Sequence, residues 1–210
     1  MRTTFDPDDL GARRFYRLLT AVVVPRPIAW VSTVSVEGTH NLAPHSFFTV
    51  SCVEPPVIQF TSVGRKDSLR NVEATGEFVV NLAPRTLFAQ VNATATDFPA
   101  AVSEFDAVGV RREPSCLVRP PRVADSPVAL ECRLHATIGL GDSTVVLGRV
   151  VLAAVASEVL DGEHPDVGRL APLARLGRDE WGTDPTVLEI SRIRWADWPG
   201  HYRSDGAADP

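Results

Sequence analysis

Lysine is almost absent from this chain of 210 residues: Lys66 is the only one, and the remaining basic residues are arginines and five histidines. The formal net charge is -5, and no stretch gathers basic residues into a stripe. A nucleic-acid surface needs clustered lysine or arginine to meet the phosphate backbone. The composition therefore argues against a nucleic-acid partner.

Long apolar runs and a leader-like N-terminus are also missing. No stretch approaches the roughly 20 apolar residues of a membrane-spanning helix. Asp6, Asp8 and Asp9 precede any apolar run, which is unlike a secretory signal peptide. We therefore expect a cytoplasmic protein with no membrane partner.

The sequence motifs of metal and nucleophilic catalysis are absent as well. The cysteines form no CxxC pair, the histidines form no HExxH or HxH pattern, and no GxSxG elbow occurs, so we expect no metal site. Residues 139–144 begin like the dinucleotide fingerprint GxGxxG but end in Thr and lie between two predicted strands. No catalytic side chain is marked by a local motif. We expect Cys52, Cys116 and Cys132 to be reduced thiols in the core.

The hydrophobic pattern favours strands over helices. It predicts a mainly β fold, a β-barrel with flanking helices, rather than a doubly wound parallel sheet. One domain over residues 1–200 is expected, followed by a disordered tail at 201–210. Strands are predicted at 28–36, through 47–52, and at 57–62, 78–82, 128–138 and 144–156; helices are predicted at 10–20, around 86–91, and from an N-cap at Asp67 to a stop at Gly76.

Residues 62–68, Ser-Val-Gly-Arg-Lys-Asp-Ser, join a predicted strand to a predicted helix. Unpaired backbone N–H groups at a helix N-terminus, with Arg65 and Lys66 beside them, form an anion site. Ser62 and Ser68 add neutral donors. A solvated surface turn with an ordinary helix cap is the alternative, and the loop alone does not decide between the two.

Residues 41–47, Asn-Leu-Ala-Pro-His-Ser-Phe, place amide, imidazole and hydroxyl groups among apolar residues of a strand. Polar groups held on a rigid strand are suited to bind a heteroaromatic ring and its polyol chain. The alternative is a kinked edge strand whose polar groups satisfy one another. Spacing alone leaves both interpretations open.

The order of several motifs resembles one known family. The segments are 24–33 (Val-Pro-Arg-Pro-Ile-Ala-Trp-Val-Ser-Thr), 41–48 (Asn-Leu-Ala-Pro-His-Ser-Phe-Phe), 55–56 (Pro-Pro), 64–71 (Gly-Arg-Lys-Asp-Ser-Leu-Arg-Asn) and 76–81 (Gly-Glu-Phe-Val-Val-Asn). Together they closely resemble the flavin-reductase-like family of FMN-binding split barrels, which includes flavoredoxin-type proteins. The resemblance covers most of residues 10–160.

The resemblance implies a six-stranded antiparallel split barrel that forms homodimers and binds FMN non-covalently near the subunit interface. By position, the phosphate end would be held by Arg65, Lys66, Asp67 and Ser68, with Ser62 close by. The ribityl chain and isoalloxazine would be lined by Ser32, Thr33, Asn41, Ala43, Pro44, His45 and Ser46. Residues 173–177 resemble a late Arg-Leu-Gly stretch of the family, which implies a flavin contact from Arg175.

The implied activity is that of an oxidoreductase: NADH or NADPH reduces the bound FMN, which passes electrons to free flavin or another acceptor. A small-molecule donor or acceptor and a monooxygenase are the implied partners. Because the flavin carries the hydride chemistry, we expect no side-chain general base.

One departure weakens the NADH half-reaction. Many family members that use NADH carry Gly-Asp-His in the late hairpin, where this chain has Gly141-Asp142-Ser143. A non-enzymatic FMN-binding electron carrier without NAD(P)H turnover is therefore the alternative function. A third interpretation is a degenerate barrel that binds another phosphate-bearing or aromatic ligand.

Overall fold

The computed structural model describes residues 1–198 of the chain, so the predicted tail at 201–210 lies outside the described residues. The seven long strands are β1 (Ala29–Val34), β2 (His40–His45), β3 (Phe48–Cys52), β4 (Val57–Val63), β5 (Glu77–Leu82), β6 (Val128–Leu140) and β7 (Ser143–Val155). The helices are α1 (Pro7–Leu10), α2 (Ala12–Val22), α3 (Asp67–Thr75), α4 (Phe88–Ala93), α5 (Glu104–Val108) and α6 (Val167–Leu170).

Shorter elements connect these. Single 3-10 turns occur at Arg85–Leu87, Ser157–Val159 and Trp195–Asp197. Two-residue strands occur at Arg26–Pro27, Arg112–Glu113, Arg122–Val123, Leu160–Asp161, His164–Pro165, Ala174–Arg175 and Trp181–Gly182. Among the described residues, no helix has the length and apolarity needed to cross a bilayer.

The seven long strands form one antiparallel sheet in the order β2-β1-β5-β6-β7-β4-β3. Its two edge strands, β2 and β3, are consecutive in sequence and are separated only by Ser46 and Phe47. Two residues cannot span an open seven-stranded sheet, since strands are spaced about 4.8 Å apart. The sheet therefore curls until its edges approach each other, and β2 contacts β4 there through His45, whose Nδ1 lies 3.4 Å from the carbonyl oxygen of Thr61.

Alternation along β1 separates two cores. Ala29 and Val31 point into the barrel, while Trp30 points outward and is buried beneath α4 and α5, as the two-residue period of a strand requires. The barrel core consists of Ala29, Val31, Ile58, Phe60, Leu69, Val72, Phe78, Val80, Cys132 and Val146. The outer core consists of Ile28, Trp30, Leu42, Ala83, Val91, Phe105, Val110, Val123 and Leu173.

The mainly β character that the sequence predicts is confirmed, with two corrections to its elements. The single strand predicted to run from the turn at Glu37-Gly38 through Phe47 to Cys52 is two strands, because the chain bends at Ser46 and Phe47 to cross from one sheet edge to the other. The helix predicted at 10–20 is divided into α1 and α2 at Gly11, whose φ of 78° cannot continue a right-handed helix.

The expectation of three core thiols is correct for one cysteine and wrong for two. Cys132 lies in the barrel core, where burial raises the pKa of its thiol. Cys52 and Cys116 are exposed, and all three are free thiols. Cys52 is the last residue of β3, and Cys116 lies in the irregular segment between the short strands Arg112–Glu113 and Arg122–Val123, so neither side chain reaches the core.

Gly148 on β7 is required by close packing inside the barrel. A Cβ at this position would lie 2.1 Å from Cζ of Phe78, whose ring is fully buried in the barrel core. The ladder between β6 and β7 is also irregular here, with a register shift between Leu147 and Gly148. The absent side chain therefore gives the Phe78 ring its space.

We expect Gly148→Ala to lower the free energy of unfolding by about 1–3 kcal/mol, because an added methyl group overpacks the core. Urea unfolding followed by tryptophan fluorescence measures this change. Gly139→Ala on the neighbouring strand is the matched control, since nothing lies within 4 Å of the position that its added methyl group would take. Equal stabilities of the two variants would contradict the assignment.

Candidate functional site

A cavity of about 410 Å³ runs along the free edge of β2, where the barrel is split. This volume is within the range of about 300–1,000 Å³ that small-molecule sites occupy. Its wall is formed by β2, the end of β4, the start of α3, the segment after α4, and α5. The lining residues are Tyr16, Asn41, Ala43, Pro44, His45, Ser46, Phe47, Thr61, Val63, Lys66, Asp67, Ser68, Thr94, Ala95, Thr96, Asp97, Phe98 and Glu104.

The N-terminus of α3 forms the cationic part of this wall. Lys66 occupies the N-cap position, and no side chain caps the helix. The N–H groups of a helix's first turn have no partner within the helix, and the helix dipole makes this end positive. With the Lys66 ammonium beside it, this part of the cavity is suited to an anion.

Asp67 differs from its expected role as the N-cap. It is the first residue of α3, one position later than predicted, and its carboxylate forms an ion pair with Arg70 instead of bonding to a first-turn N–H. The first-turn donors are therefore not taken by this carboxylate, and its charge is balanced by the arginine.

A line of buried hydrogen bonds fixes the wall between β2, α3 and β4. The Asn41 amide Nδ2 donates to Ser68 Oγ at 3.2 Å, and Ser68 Oγ lies 3.3 Å from His45 Nε2. His45 Nδ1 lies 3.4 Å from the carbonyl oxygen of Thr61. A carbonyl only accepts, so Nδ1 is assigned the proton and Nε2 accepts from Ser68.

His45 is a neutral structural histidine in this arrangement. It is buried, and burial lowers its pKa to about 4; the bond to the Thr61 carbonyl opposes this shift, and the charge of Lys66 adds to it. Its ring packs against Phe60, with ring centroids 4.7 Å apart. At neutral pH the residue therefore carries no charge into the cavity wall.

Glu104, the first residue of α5, brings a buried carboxyl group to the wall. The residue is 7% exposed, and Oε2 accepts the backbone N–H of Leu42 on β2 at 2.9 Å. Burial raises the pKa of Glu104, the bond from Leu42 acts in the opposite direction, and the nearby charge of Asp67 raises the pKa further. The sequence analysis did not identify this residue.

The segment after α4 and three aromatic side chains close the rest of the cavity. Thr94 is buried and anchors this segment: its hydroxyl accepts from Trp30 Nε1 at 2.9 Å and donates to the Val91 carbonyl at 3.0 Å. Beyond it, residues 95–98 form the wall and end in Phe98. Tyr16 and Phe47 stand edge to face elsewhere in the wall, with centroids 6.3 Å apart. Flat aromatic surfaces of this kind suit a planar ring.

The structure brings most of the predicted site residues to this one cavity. Those that line it are Asn41, Ala43, Pro44, His45, Ser46, Lys66, Asp67 and Ser68. They come from two segments that are distant in sequence, β2 and the start of α3, and both segments were singled out by their residues.

Three predicted hydroxyl residues do not line the cavity. Ser32 and Thr33 lie on β1, one strand in from the free edge, where Ser32 donates to the Pro121 carbonyl and Thr33 accepts from Asn71. Ser62 points away because side chains alternate along β4: its neighbours on either side face the cavity, and its hydroxyl donates to the Gly64 carbonyl at 2.8 Å.

The two predicted arginines also lie outside the lining. The Arg65 guanidinium is exposed and forms an ion pair with Glu73 at 2.6 Å, along the side of α3. Arg175 stacks over Trp181, 4.6 Å from the ring centroid, and donates to the Arg178 carbonyl. Both belong to local contacts of their own segments.

The residues that sequence reasoning missed reach the cavity through long-range packing. They are Tyr16, Phe47, Thr61, Val63, Glu104 and residues 94–98. Side chains alternate between the two faces of β4, and this pattern could have indicated that Thr61 and Val63 share one face. For Glu104, nothing in the local sequence indicates that its partner is the N–H of Leu42.

The arrangement is that of a binding site with an anion-binding end, a polar wall and aromatic surfaces. Residues 1–198 bring together no group of three His, Cys, Asp or Glu side chains suited to a metal ion. The wall is suited to bind and orient a ligand. Lys66 and the first turn of α3 offer a place for an anion, and the edge of β2 offers a place for a ring.

Comparison with known proteins agrees with this geometry. The profile of the flavin reductase like domain matches residues 21–174. An uncharacterised protein from Deinococcus radiodurans is 39% identical, with 99% of this chain and 97% of that protein aligned.

Solved structures share the fold over nearly the whole chain. Nitrilotriacetate monooxygenase component B from Bacillus cereus superposes with a TM-score of 0.86 at 30% identity, covering 90% of this chain and 99% of that one. The 2-nitrobenzoate 2-nitroreductase NbaA from Pseudomonas fluorescens gives 0.85 at 30% identity, covering 92% and 98%. Flavoredoxin from Desulfovibrio vulgaris (Miyazaki F) gives 0.77 at 20% identity, covering 91% and 97%, a likeness of fold.

The motif resemblance, the split sheet and these matches point the same way. The resemblance to flavin-reductase-like split barrels is thereby confirmed. The chain belongs to the flavin reductase like family and is, at the level of that family, a flavin-linked oxidoreductase.

Proposed function

We propose that this protein binds FMN non-covalently in the cavity beside β2 and acts as an NAD(P)H-dependent flavin reductase. Electrons would pass from the bound FMN to free flavin or another acceptor. The observation that carries the proposal is the uncapped N-terminus of α3, with Lys66 beside it, facing a cavity of about 410 Å³.

The residues present fit the chemistry of FMN. A phosphate group matches first-turn N–H donors and a lysine ammonium. Tyr16, Phe47 and Phe98 offer flat apolar surfaces for a ring system. FMN, when bound, supplies the hydride and electron chemistry, while the protein supplies binding and orientation.

The late hairpin lies close to the same cavity. Its turn contacts the phosphate-binding loop, because the Gly64 N–H donates to the Asp142 carbonyl at 2.9 Å. Ser143 is paired with Val63, which lines the cavity, and its own hydroxyl donates to the Asp142 carboxylate at 2.8 Å. Ser143 thus occupies the place beside the cavity where many NADH-using relatives carry histidine, and this favours the electron carrier as the second candidate function.

A partner enzyme is part of the proposal. The Bacillus cereus structure with which this chain superposes is component B of a monooxygenase. Delivery of reduced flavin to a monooxygenase is therefore the proposed use of the electrons, with free flavin as the small-molecule alternative.

A homodimer is proposed as the functional assembly. Val50, Val53, Ile138 and Leu140 are apolar side chains on or next to strands of the main sheet, and all four are exposed in the single chain. Apolar side chains that a single chain leaves exposed are typical of surfaces that another protein covers. A second copy would bury these four.

Changing Lys66 and Arg65 together to Ala is expected to weaken FMN binding more than tenfold, because contacts to a phosphate are charge-assisted. Of these two residues, Lys66 lines the cavity and Arg65 does not, so Lys66→Ala alone should account for most of this loss in affinity. Fluorescence titration with FMN measures it, and riboflavin, which has no phosphate, should show a much smaller loss. Arg149→Ala, on the outer face of β7, is the control. Unchanged FMN affinity of the double variant would refute the phosphate-end assignment.

Reduction of the bound flavin is the second expectation. The protein is loaded with FMN under anaerobic conditions, NADH or NADPH is added, and the visible flavin absorbance is followed. We expect bleaching much faster than that of free FMN in the same buffer. Bound FMN that neither nucleotide reduces would reject the reductase and leave the electron carrier.

The assembly is tested by light scattering, which should give about twice the mass of one chain. Val50→Asp is expected to shift the protein toward the monomer, because a charge in an apolar interface is costly. Val36→Asp, in the exposed turn between β1 and β2, is the matched control. A wild-type monomer with FMN bound would disprove the dimer.

A further inference from the structure

A second concavity lies on the long hairpin formed by β6 and β7. Its volume is about 570 Å³, and none of its lining residues lines the cavity beside β2. The residues that line it are Arg133, Leu134, His135, Arg149, Val150 and Val151. Three of these six side chains are basic and none is acidic, so the concavity is suited to an anion.

Two β-bulges shape this concavity. Between β6 and β7 the register shifts by one residue at His135 and again at Val151, so neither residue has a partner on the opposite strand. A β-bulge bends its strand, increases the local twist and re-aims a side chain. Both unpaired residues line the concavity. The three ladder pairs that lie between them are Gly148 with Leu134, Arg149 with Arg133, and Val150 with Cys132.

Arg133 and Arg149 thus face each other directly across the ladder, between the two bulges. The Cβ atoms of directly opposite residues are about 4.5–5.5 Å apart, and like charges in this arrangement destabilise a sheet. Within residues 1–198 the Arg149 side chain forms no hydrogen bond or ion pair, and the Arg133 side chain donates only to the Leu117 carbonyl, at 3.4 Å. The two charges lie side by side without a carboxylate partner in this part of the chain.

The neighbouring carboxylates are already engaged. Glu77 lies opposite Arg133 on β5, but its Oε2 accepts from the backbone N–H and from Nε of Arg119, at 3.1 and 3.3 Å. Glu131, two residues before Arg133, is fully buried and accepts from two backbone N–H groups and from Arg122. A counter-charge for the arginine pair is therefore expected from a ligand.

The chemistry of the pair matches a diphosphate group. The planar guanidinium fork of arginine binds phosphate oxygens bidentately, and such charge-assisted hydrogen bonds are the stronger class. Two forks side by side match an anion whose two charged groups are adjacent. The exposed imidazole of His135 adds a further N–H donor beside them.

We propose that Arg133, Arg149 and His135 form a second anion site, which binds the diphosphate group of a small molecule. The site shares no lining residue with the cavity beside β2, so the inference does not depend on the proposed binding of FMN. The group has two sources, inorganic pyrophosphate and a nucleoside diphosphate or dinucleotide. Both present the same chemistry to the arginine pair.

Pyrophosphate binding is measured by isothermal titration calorimetry in a Lys66→Ala background, which removes the cation of the other anion-binding cavity. We expect Arg149→Gln in this background to weaken binding about tenfold or more, because charge-assisted contacts are lost. Arg192→Gln, which removes an exposed arginine elsewhere in the chain, is the charge-matched control and should bind like the parent. Equal affinities of the two variants, or a parent that binds no pyrophosphate, would overturn the site.

Thermal unfolding gives a second readout, and its sign differs from that of an arginine with a purely structural role. In dilute chloride buffer, Arg149→Gln should raise the midpoint temperature, since it relieves the repulsion from Arg133. Pyrophosphate should raise the midpoint of the Lys66→Ala parent but not that of the variant, because a ligand stabilises only the state that binds it. A lower midpoint of the variant in chloride would contradict the proposal. Equal stabilisation of the parent by sodium chloride at the same ionic strength would also contradict it.

Competition with ADP distinguishes the two sources of the diphosphate. Displacement of pyrophosphate by ADP at comparable concentration identifies a nucleotide as the ligand, whereas failure of ADP to compete identifies the inorganic ion. A wild-type protein that binds no flavin would reject the proposed function and leave this site standing.

Discussion

The whole architecture depends on the two-residue step between β2 and β3. Ser46 and Phe47 join strands that lie at opposite edges of a seven-stranded sheet, so the sheet can form only if it closes on itself. No continuous backbone ladder joins β2 to β4, so a gap is left between these two strands. Across the gap, His45 at the end of β2 lies against β4, with Nδ1 3.4 Å from the carbonyl oxygen of Thr61. The cavity lies at this gap.

Incomplete closure leaves a slit, and the polar residues beside it keep the slit in shape. Asn41, Ser68, His45 and the Thr61 carbonyl connect β2, α3 and β4 by side-chain contacts in place of a backbone ladder. The neutral state of His45 is part of this arrangement, because a buried charge beside Lys66 would be unfavourable. The cavity is thus a consequence of the fold and is stabilised by its own wall.

Sequence reasoning succeeded where the information was local and failed where it was long-range. The loop around Lys66 and the motif at Asn41, which both contribute to the cavity wall, could be found because each is a short run of chemically distinctive residues. Ser62 does not line the cavity, because the strand register decides which side of the sheet each residue faces, and the sequence alone did not give that register. Glu104 could not be found, because its role depends on Leu42, 62 residues away in sequence.

The free edge of β2 also has a consequence for the behaviour of the protein in solution. An exposed strand edge is a template on which another chain can add a strand, and it promotes aggregation. Here the outward N–H of Leu42 is occupied by Glu104, and Pro44, two residues further along the same edge, has no N–H to offer. The slit can therefore stay open to a small ligand while remaining closed to the backbone of a neighbouring molecule.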